Sequence, residues 1–295
     1  AIVKEGEDIG GVETNRGVVE ADYVINAAGL DADKISRMAG ICDFEILPRR
    51  GEYIVLDKKL NGFVDKIVFP TPTPISKGIL VAPTFEGNTI LGPNAEDVRH
   101  KDEINNTWAG LEEVEANVLK LVPSLDLNDK IRVYAGVRAE PSTKDFVVKA
   151  YKEARGFINV AGIASPGLTA APAIAIKVAD ILGEEGIRLI RKRSLNTYRR
   201  SPPEIRSTSL DEINTLISKN RGYGRVICRC EHVTEAEVTT AIEHGARTLD
   251  GVKFRTRAGM GRCQGGFCGP RVIMLLAKVL GIPVETVTKS GGESK

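Results

Sequence analysis

The stretches ICRCEHVTEAEV (227–238) and TRAGMGRCQGGFCGPR (256–271) gather four cysteines, Cys228, Cys230, Cys263 and Cys268, in one short part of the chain. Their pattern is Cys-x-Cys, 32 intervening residues, then Cys-x4-Cys. Four thiolates that converge satisfy two tetrahedral irons bridged by sulfide, with two cysteines on each iron. Gly261, Gly265, Gly266 and Gly269 let backbone wrap close to sulfur and aim N–H groups at it. Four cysteines also suit tetrahedral zinc, although zinc ribbons use Cys-x2-Cys pairs and neither pair here has that spacing. Disulfides and buried free thiols are the remaining readings.

From about Gly224 to Lys289 the sequence resembles the 2Fe–2S domain of bacterioferritin-associated ferredoxin, which also occurs appended to flavin dehydrogenases. EHVTEAEV and TRAGMGRCQGGFC carry the resemblance, and all four ligand positions are present. It implies a 2Fe–2S cluster on Cys228, Cys230, Cys263 and Cys268. A Thr-x-x-Glu capping box, Thr234 to Glu237, opens one helix of this segment, and a second is expected from Pro270 to Gly281. His232 and His244 read as surface positions, because four cysteines suffice for the metal.

The whole chain has 295 residues, enough for two domains or more. Its net charge of +2 makes no case for nucleic acid, and three histidines make a second metal site unexpected. Five cysteines, four of them in cluster spacing, argue for a reducing cytoplasm rather than a disulfide scaffold. No apolar run reaches membrane-spanning length and no secretory signal appears. The sequence opens at Ala1 inside what reads as a β-meander, so a fragment of a longer protein is expected.

Ahead of the cysteines, GVETNRGVVEADYVINAAG (11–29) reads as strands around an Asn15-Arg16-Gly17 turn, with Tyr23–Ile25 a buried strand. A helix over 31–40 follows, closed by Gly40. Residues 42–135 alternate and carry prolines and glycine-rich turns, which predicts an antiparallel sheet with strands near 47–57, 66–72, 77–85 and 88–93. A helix over 103–125 should pack on that sheet through Ile104, Trp108, Leu111, Val114, Val118 and Leu121. Residues 131–148 read as strand, turn, strand, with Arg138 just past the first strand's end. GFINVAGIASPGLTAAPAIAIKVADIL (156–182) reads as strand, glycine-rich loop and an alanine-rich buried helix from about Thr169, with Pro172 in its first turn. Residues 187–206 are basic and read as a linker or docking arm, Pro202-Pro203 marks a boundary, and 209–220 is a short amphipathic helix. Cys42 reads as a core residue, and His100 as a surface one.

NAAGLDADKI (26–35), AGVRAEPSTKD (135–145) and GIASPGLTAAPAIA (162–175) together resemble the FAD-dependent oxidoreductases of the D-amino-acid oxidase superfamily, nearest to the anaerobic glycerol-3-phosphate dehydrogenase family. The two resemblances cover nearly the whole chain. They imply an α/β and α+β fold: the C-terminal part of a FAD-binding oxidoreductase with an antiparallel substrate sheet, plus a small helical 2Fe–2S domain. The division implied is 1–41 and 136–186 for the FAD-binding part, 42–135 for the substrate part, 187–222 for a linker and 223–295 for the cluster domain. Two departures are plain. The family's N-terminal G-x-G-x-x-G is absent, which leaves the pyrophosphate without a cradle, and Ala139 stands where an Arg-Pro pair is common, the proline arriving as Pro141.

By the same likeness, Ala28 and Gly29 line the adenosine side of FAD. Gly162, Ile163, Ser165, Pro166, Gly167, Leu168 and Thr169 face the isoalloxazine. Arg138 and Lys144 match basic substrate-binding positions, and Arg50 is a weaker third. The implied reaction is oxidation of sn-glycerol 3-phosphate to dihydroxyacetone phosphate, with electrons passing to the cluster and on to a redox partner or quinone-linked subunit. A dehydrogenase of a 2-hydroxy acid or amino acid, and a non-catalytic iron–sulfur scaffold, are the alternatives. The expected location is cytoplasmic, peripheral at the inner membrane only through a partner, and an open sheet flank would favour self-association.

Overall fold

The computed structural model describes residues 1–72, 78–190, 192–198 and 201–294. The first sheet begins with β1 (Ile2–Glu5), β2 (Asp8–Thr14), β3 (Gly17–Glu20) and β4 (Val24–Asn26), after which α1 (Ala32–Met38) packs beside them. The chain then leaves for a second sheet: β5 (Ile46–Leu56), β6 (Leu80–Pro83), β7 (Thr89–Gly92), β8 (Glu96–Asp97), helix α2 (Trp108–Leu121) and β9 (Lys130–Pro141). It returns to the first sheet through β10 (Val147–Tyr151) and β11 (Ala154–Ala161), and α3 (Gly167–Glu184) closes that unit. β11 runs parallel to β4, with Phe157 opposite Val24 and Asn159 opposite Asn26, and antiparallel to β10. Both parallel strands therefore end at the same edge.

The second sheet is antiparallel, as its alternation predicts, and its spine is the long pairing of β5 with β9, from Ile46 opposite Pro141 to Leu56 opposite Lys130. Arg50, Glu52, Ile54 and Leu56 alternate onto the face that α2 covers, where Ile54, Leu56, Leu91, Val114 and Val118 are fully buried. Each such aliphatic side chain stabilises the packing by about 1.5–3 kcal/mol. Buried Glu52 fixes where α2 starts. Its carboxylate accepts from the backbone N–H of Thr107 (2.8 Å), the Thr107 hydroxyl (2.8 Å) and Asn106 Nδ2 (3.2 Å), and Arg50 Nε lies 3.6 Å away. Thr107 then caps the helix by accepting from the Gly110 N–H.

Several expectations change here. α2 starts at Trp108 rather than 103, so Ile104 falls before it and Trp108 in its first turn, and both are exposed, Trp108 at 79%. Over 66–72 only a bridge from Val68 to Val81 forms, because Pro70 and Pro72 lack N–H donors; Lys77, assigned to the next strand, lies outside the described residues. Cys42 is exposed, since Ile41 beside it takes the inward position. Ile25 is also exposed: β4 turns that side chain to a face over which the described residues lay no cover. α3 begins two residues early, which moves Pro172 into its second turn. Only its Gly167 and Val178 are buried, because α3 packs mainly on β10 and its remaining apolar face meets no described layer. Arg138 lies inside β9, not beyond a strand end.

Residues 187–206 lead, with Arg191, Arg199 and Arg200 outside the described residues, to α4 (Leu210–Lys219), whose N-terminus is a full capping box of Ser209 and Glu212. The last unit contains the short β12 (Val226–Cys228) and β13 (Val233–Thr234), then α5 (Glu235–Glu243), α6 (Leu249–Thr256) and α7 (Gly269–Leu280). The expected box of Thr234 and Glu237 caps α5, and α7 ends at Gly281 in the left-handed region (φ +66°). Among the described residues no helix is long and apolar enough to cross a membrane.

Glu52→Ala removes the acceptor for three donors at the start of α2 and strips Arg50 of a buried partner. The second sheet should lose about 3–5 kcal/mol. Urea unfolding followed through the fluorescence of Trp108, the chain's one tryptophan, should show a lower midpoint; an unchanged midpoint would contradict this role for Glu52.

Candidate functional site

The parallel pairing of β4 and β11 brings the two glycine loops to one sheet edge. Ala27, Ala28 and Gly29 follow β4 and are exposed; Gly162 to Thr169 follow β11, with Ser165, Pro166, Leu168 and Thr169 exposed. The space in front of Gly29 is open. Beneath the loops lies a buried amide pair. Asn26 Nδ2 donates to Asn159 Oδ1 (2.7 Å) and to the Ala32 carbonyl (2.8 Å), and Asn159 Nδ2 donates to Ser36 Oγ (2.9 Å). Asn26 Oδ1 also accepts from the Ala28 N–H (3.3 Å), so the pair sets the loop's course as well as joining the strands. Neither asparagine was picked out from the sequence. The signal was present: NAAG (26–29) and NVAG (159–162) repeat one Asn-x-Ala-Gly pattern at two strand ends.

Gly162 has φ +65°, and a Cβ there would lie 2.5 Å from Pro141 Cβ. Only glycine lets the last residue of β9 pack so closely under this loop, which ties the end of the second sheet to the first sheet. β9 also carries Arg138, directly opposite Arg49 on the sheet face away from α2. The Arg138 guanidinium lies over Gly51 and donates through Nη2 to the Asn94 carbonyl (2.9 Å). Arg49 pairs with Asp97 at 3.3 Å. Two guanidinium groups thus share one face, and Arg49 is the member that sequence reasoning missed. Arg50, chosen instead, is 3% exposed on the other face and is spent on Glu96 (2.6 Å) and the Asn105 carbonyl (3.1 Å). Lys144 is exposed in the turn after Pro141. The face continues from Arg138 through a stacked pair, Tyr53 on Tyr134 with ring centroids 4.9 Å apart, to Arg132, which donates to Gln264 of the cysteine loop (3.4 Å).

The four thiols come together as two pairs. Cys230 Sγ lies 3.8 Å from Cys263 Sγ, and the Cys228 and Cys268 thiols influence each other's ionisation, Cys268 holding Cys228 below the usual thiol range. Two thiolates on one tetrahedral metal with bonds of about 2.3 Å stand about 3.8 Å apart, so the first pair has the separation a shared iron requires. A two-iron centre with two thiolates on each iron uses the cysteines in pairs. Backbone amides also point at sulfur. Cys228 is lowered to about 6, first by the Cys268 thiol and then by N–H groups of Gly259, Glu231 and Cys230. Cys263 is lowered chiefly by the Phe267 N–H, while burial holds Cys230 above the usual thiol range. A Cβ at Gly261 would collide with Cys230 Cβ, so glycine there lets the second loop close over the first. The residues fit a thiolate-held centre. His232 and His244 are exposed.

Residues 1–181 match the family of FAD dependent oxidoreductases, and residues 226–278 match the BFD-like 2Fe-2S binding domain. A glycerol 3-phosphate dehydrogenase of Caloramator mitchellensis is 46% identical over 278 residues, covering 94% of this chain and 58% of its own length. Subunit A1 of the anaerobic glycerol-3-phosphate dehydrogenase of Haloferax volcanii is 26% identical over 88% of this chain and 48% of its own. A solved structure of L-α-glycerophosphate oxidase from Mycoplasma pneumoniae, with FAD bound, superposes with a TM-score of 0.59 at 29% identity, covering 66% of this chain and 50% of that one. The chain spans about half the length of the curated relatives it matches.

Anaerobic reconstitution should give two irons and two sulfides per chain, the content of a 2Fe–2S centre. Gly261→Ala should lower that content by forcing the second loop off Cys230. One zinc and no iron in the wild-type chain, or full iron in the variant, would contradict the arrangement.

Proposed function

The chain belongs to the family of FAD-dependent oxidoreductases and carries a 2Fe–2S binding domain beside it, and on that premise we propose that it oxidises sn-glycerol 3-phosphate to dihydroxyacetone phosphate. Bound FAD supplies the hydride acceptor for a secondary alcohol carbon, and the 2Fe–2S centre supplies a one-electron outlet. The chain's own residues bind and orient. Ala28 and Gly29 line the adenosine side of the cofactor, and Gly162 to Thr169 line its ring. The open N–H groups of the first turn of α3 favour negative charge on a ring placed there.

Arg138 and Arg49, side by side on one sheet face, hold the phosphate of the substrate, with Lys144 as a further cation at the turn. The observation that carries this reading is the contact of Pro141 with Gly162, because it fixes the strand bearing Arg138 against the loop assigned to the cofactor ring. Arg50 takes no part, being committed to Glu96 and Asn105. Cys228, Cys230, Cys263 and Cys268 hold the cluster, from which electrons leave to a redox partner or quinone-linked subunit. Reduced thiols in this pattern suit the cytoplasm, and any approach to the membrane goes through that partner.

The test is made on the protein as the cell produces it, with FAD and an artificial acceptor supplied. Arg138→Ala should lower kcat/KM for glycerol 3-phosphate by about tenfold or more, the equivalent of about 1.5–3 kcal/mol for a charge-assisted hydrogen bond. Oxidation of glycerol, which lacks the phosphate, should change little. Equal losses on both substrates would remove Arg138 from the anion site, and turnover of a 2-hydroxy acid or amino acid in place of glycerol 3-phosphate would overturn the substrate.

A further inference from the structure

The cysteine-bearing unit has two outward sides. One faces the β5–β9 sheet: Arg262 pairs with Asp57 (3.0 Å), Gln264 meets Arg132, and Cys230 and Gly261 line a cleft with Asp57, Lys58, Asn88 and Ile131. The other side is made by Phe267 and α7. The main packing partners of α7 are α5 and the turn at Val284–Thr286, then α6, all within the same unit. Val272, Leu276 and Ala277 point inward to that core. Phe267, Arg271, Met274 and Lys278 recur at three- and four-residue steps and form an outward stripe, with Phe267 84% and Met274 65% exposed.

The stripe is directly joined to the thiols. Phe267 lies in the four-residue loop between Cys263 and Cys268, directly before Cys268. It is also electrically one-sided. From Gly251 to Val284 the sequence has no acidic residue and carries Lys253, Arg255, Arg257, Arg262, Arg271 and Lys278. Lys253, Arg257 and Arg262 are used in ion pairs with Asp250, Glu231 and Asp57. Arg271 and Lys278 pair with no acid among the described residues, and both lie on the stripe.

We propose that Phe267 and the outward face of α7 form the docking surface for an acidic electron-carrier protein, which draws electrons singly from the centre held by the four cysteines. The inference rests on the reading that those cysteines hold a 2Fe–2S cluster. In each transfer the reduced centre gives up one electron and the carrier's prosthetic group gains it; no bond forms or breaks. Two exposed apolar side chains set among unpaired cations make a small contact centre with a charged rim, which steers an acidic protein. A membrane-lying helix needs a wide apolar face, and here the cations stand in line with the apolar residues.

The cluster-loaded chain is tested for binding to purified flavodoxin, an acidic electron carrier, and to cytochrome c, a basic one, at low and high salt. Flavodoxin should bind the wild type with an affinity that falls as salt rises. The double variant Arg271→Glu, Lys278→Glu should bind it about tenfold or more weakly, Met274→Ala should weaken it to a lesser degree, and cytochrome c should bind poorly. Iron and sulfide measured in the same samples separate the two readings. Weaker binding by a variant that keeps its cluster supports the docking surface, and a wild-type chain without iron overturns the cluster and the surface together. Unchanged binding in the cluster-loaded double variant, a preference for cytochrome c, no binding of flavodoxin, or binding to phosphatidylglycerol vesicles in its place would overturn the docking surface alone.

Discussion

Glu231 decides how the two halves of this molecule sit together. It follows Cys230 directly, its side chain is fully buried, and its Oε2 takes both Lys58 Nζ and Arg257 Nε at 2.9 Å. Lys58 follows the end of β5, the spine of the second sheet, while Arg257 ends α6 beside the second cysteine loop. One carboxylate therefore joins the sheet to both cysteine loops, and the backbone N–H of the same residue helps hold the Cys228 thiol below its usual range. Removing one partner of such a buried pair typically costs about 3–5 kcal/mol, because the remaining charge is stranded. Around it stand Arg262 with Asp57, and Glu86 with Arg206 and Arg257. This clasp gives the thiol site a fixed address on the sheet.

The β5–β9 pairing then divides labour by face. One face is closed: Arg50 and Glu52 are buried charges that position α2, and the aliphatic core lies behind them. The other carries Arg49 and Arg138 near the Pro141 end, the stacked tyrosines in the middle and Arg132 at the clasp. A single ladder so runs from the candidate anion site to the cysteine loops, and its register keeps every one of these side chains on the same side.

What the sequence disclosed follows the range of its signals. The cysteine spacing, the capping box at Thr234, the short helix of 209–220 and the glycine loops at Ala28–Gly29 and Gly162 are local patterns, and each is realised as a local structure. Trp108, Cys42 and the helix of 167–184 were misjudged because burial depends on what covers a side chain, which no window of sequence states. Arg50 and Arg49 show the same limit at a finer scale. Adjacent strand residues point to opposite faces, and only the pairing with β9 reveals which arginine shares a face with Arg138. Glu231 was passed over because its partners Lys58 and Arg257 are far apart in sequence and lie on different units.

On the proposed function, substrate oxidation on the flavin side and the thiol-held centre are parts of one electron path. Electron paramagnetic resonance tests it directly: the protein is loaded with FAD and iron–sulfur under argon, frozen soon after glycerol 3-phosphate is added, and compared with a sample lacking FAD. The signal of a reduced 2Fe–2S centre is expected only when FAD and substrate are both present. Bleaching of the flavin with the cluster still oxidised would contradict it.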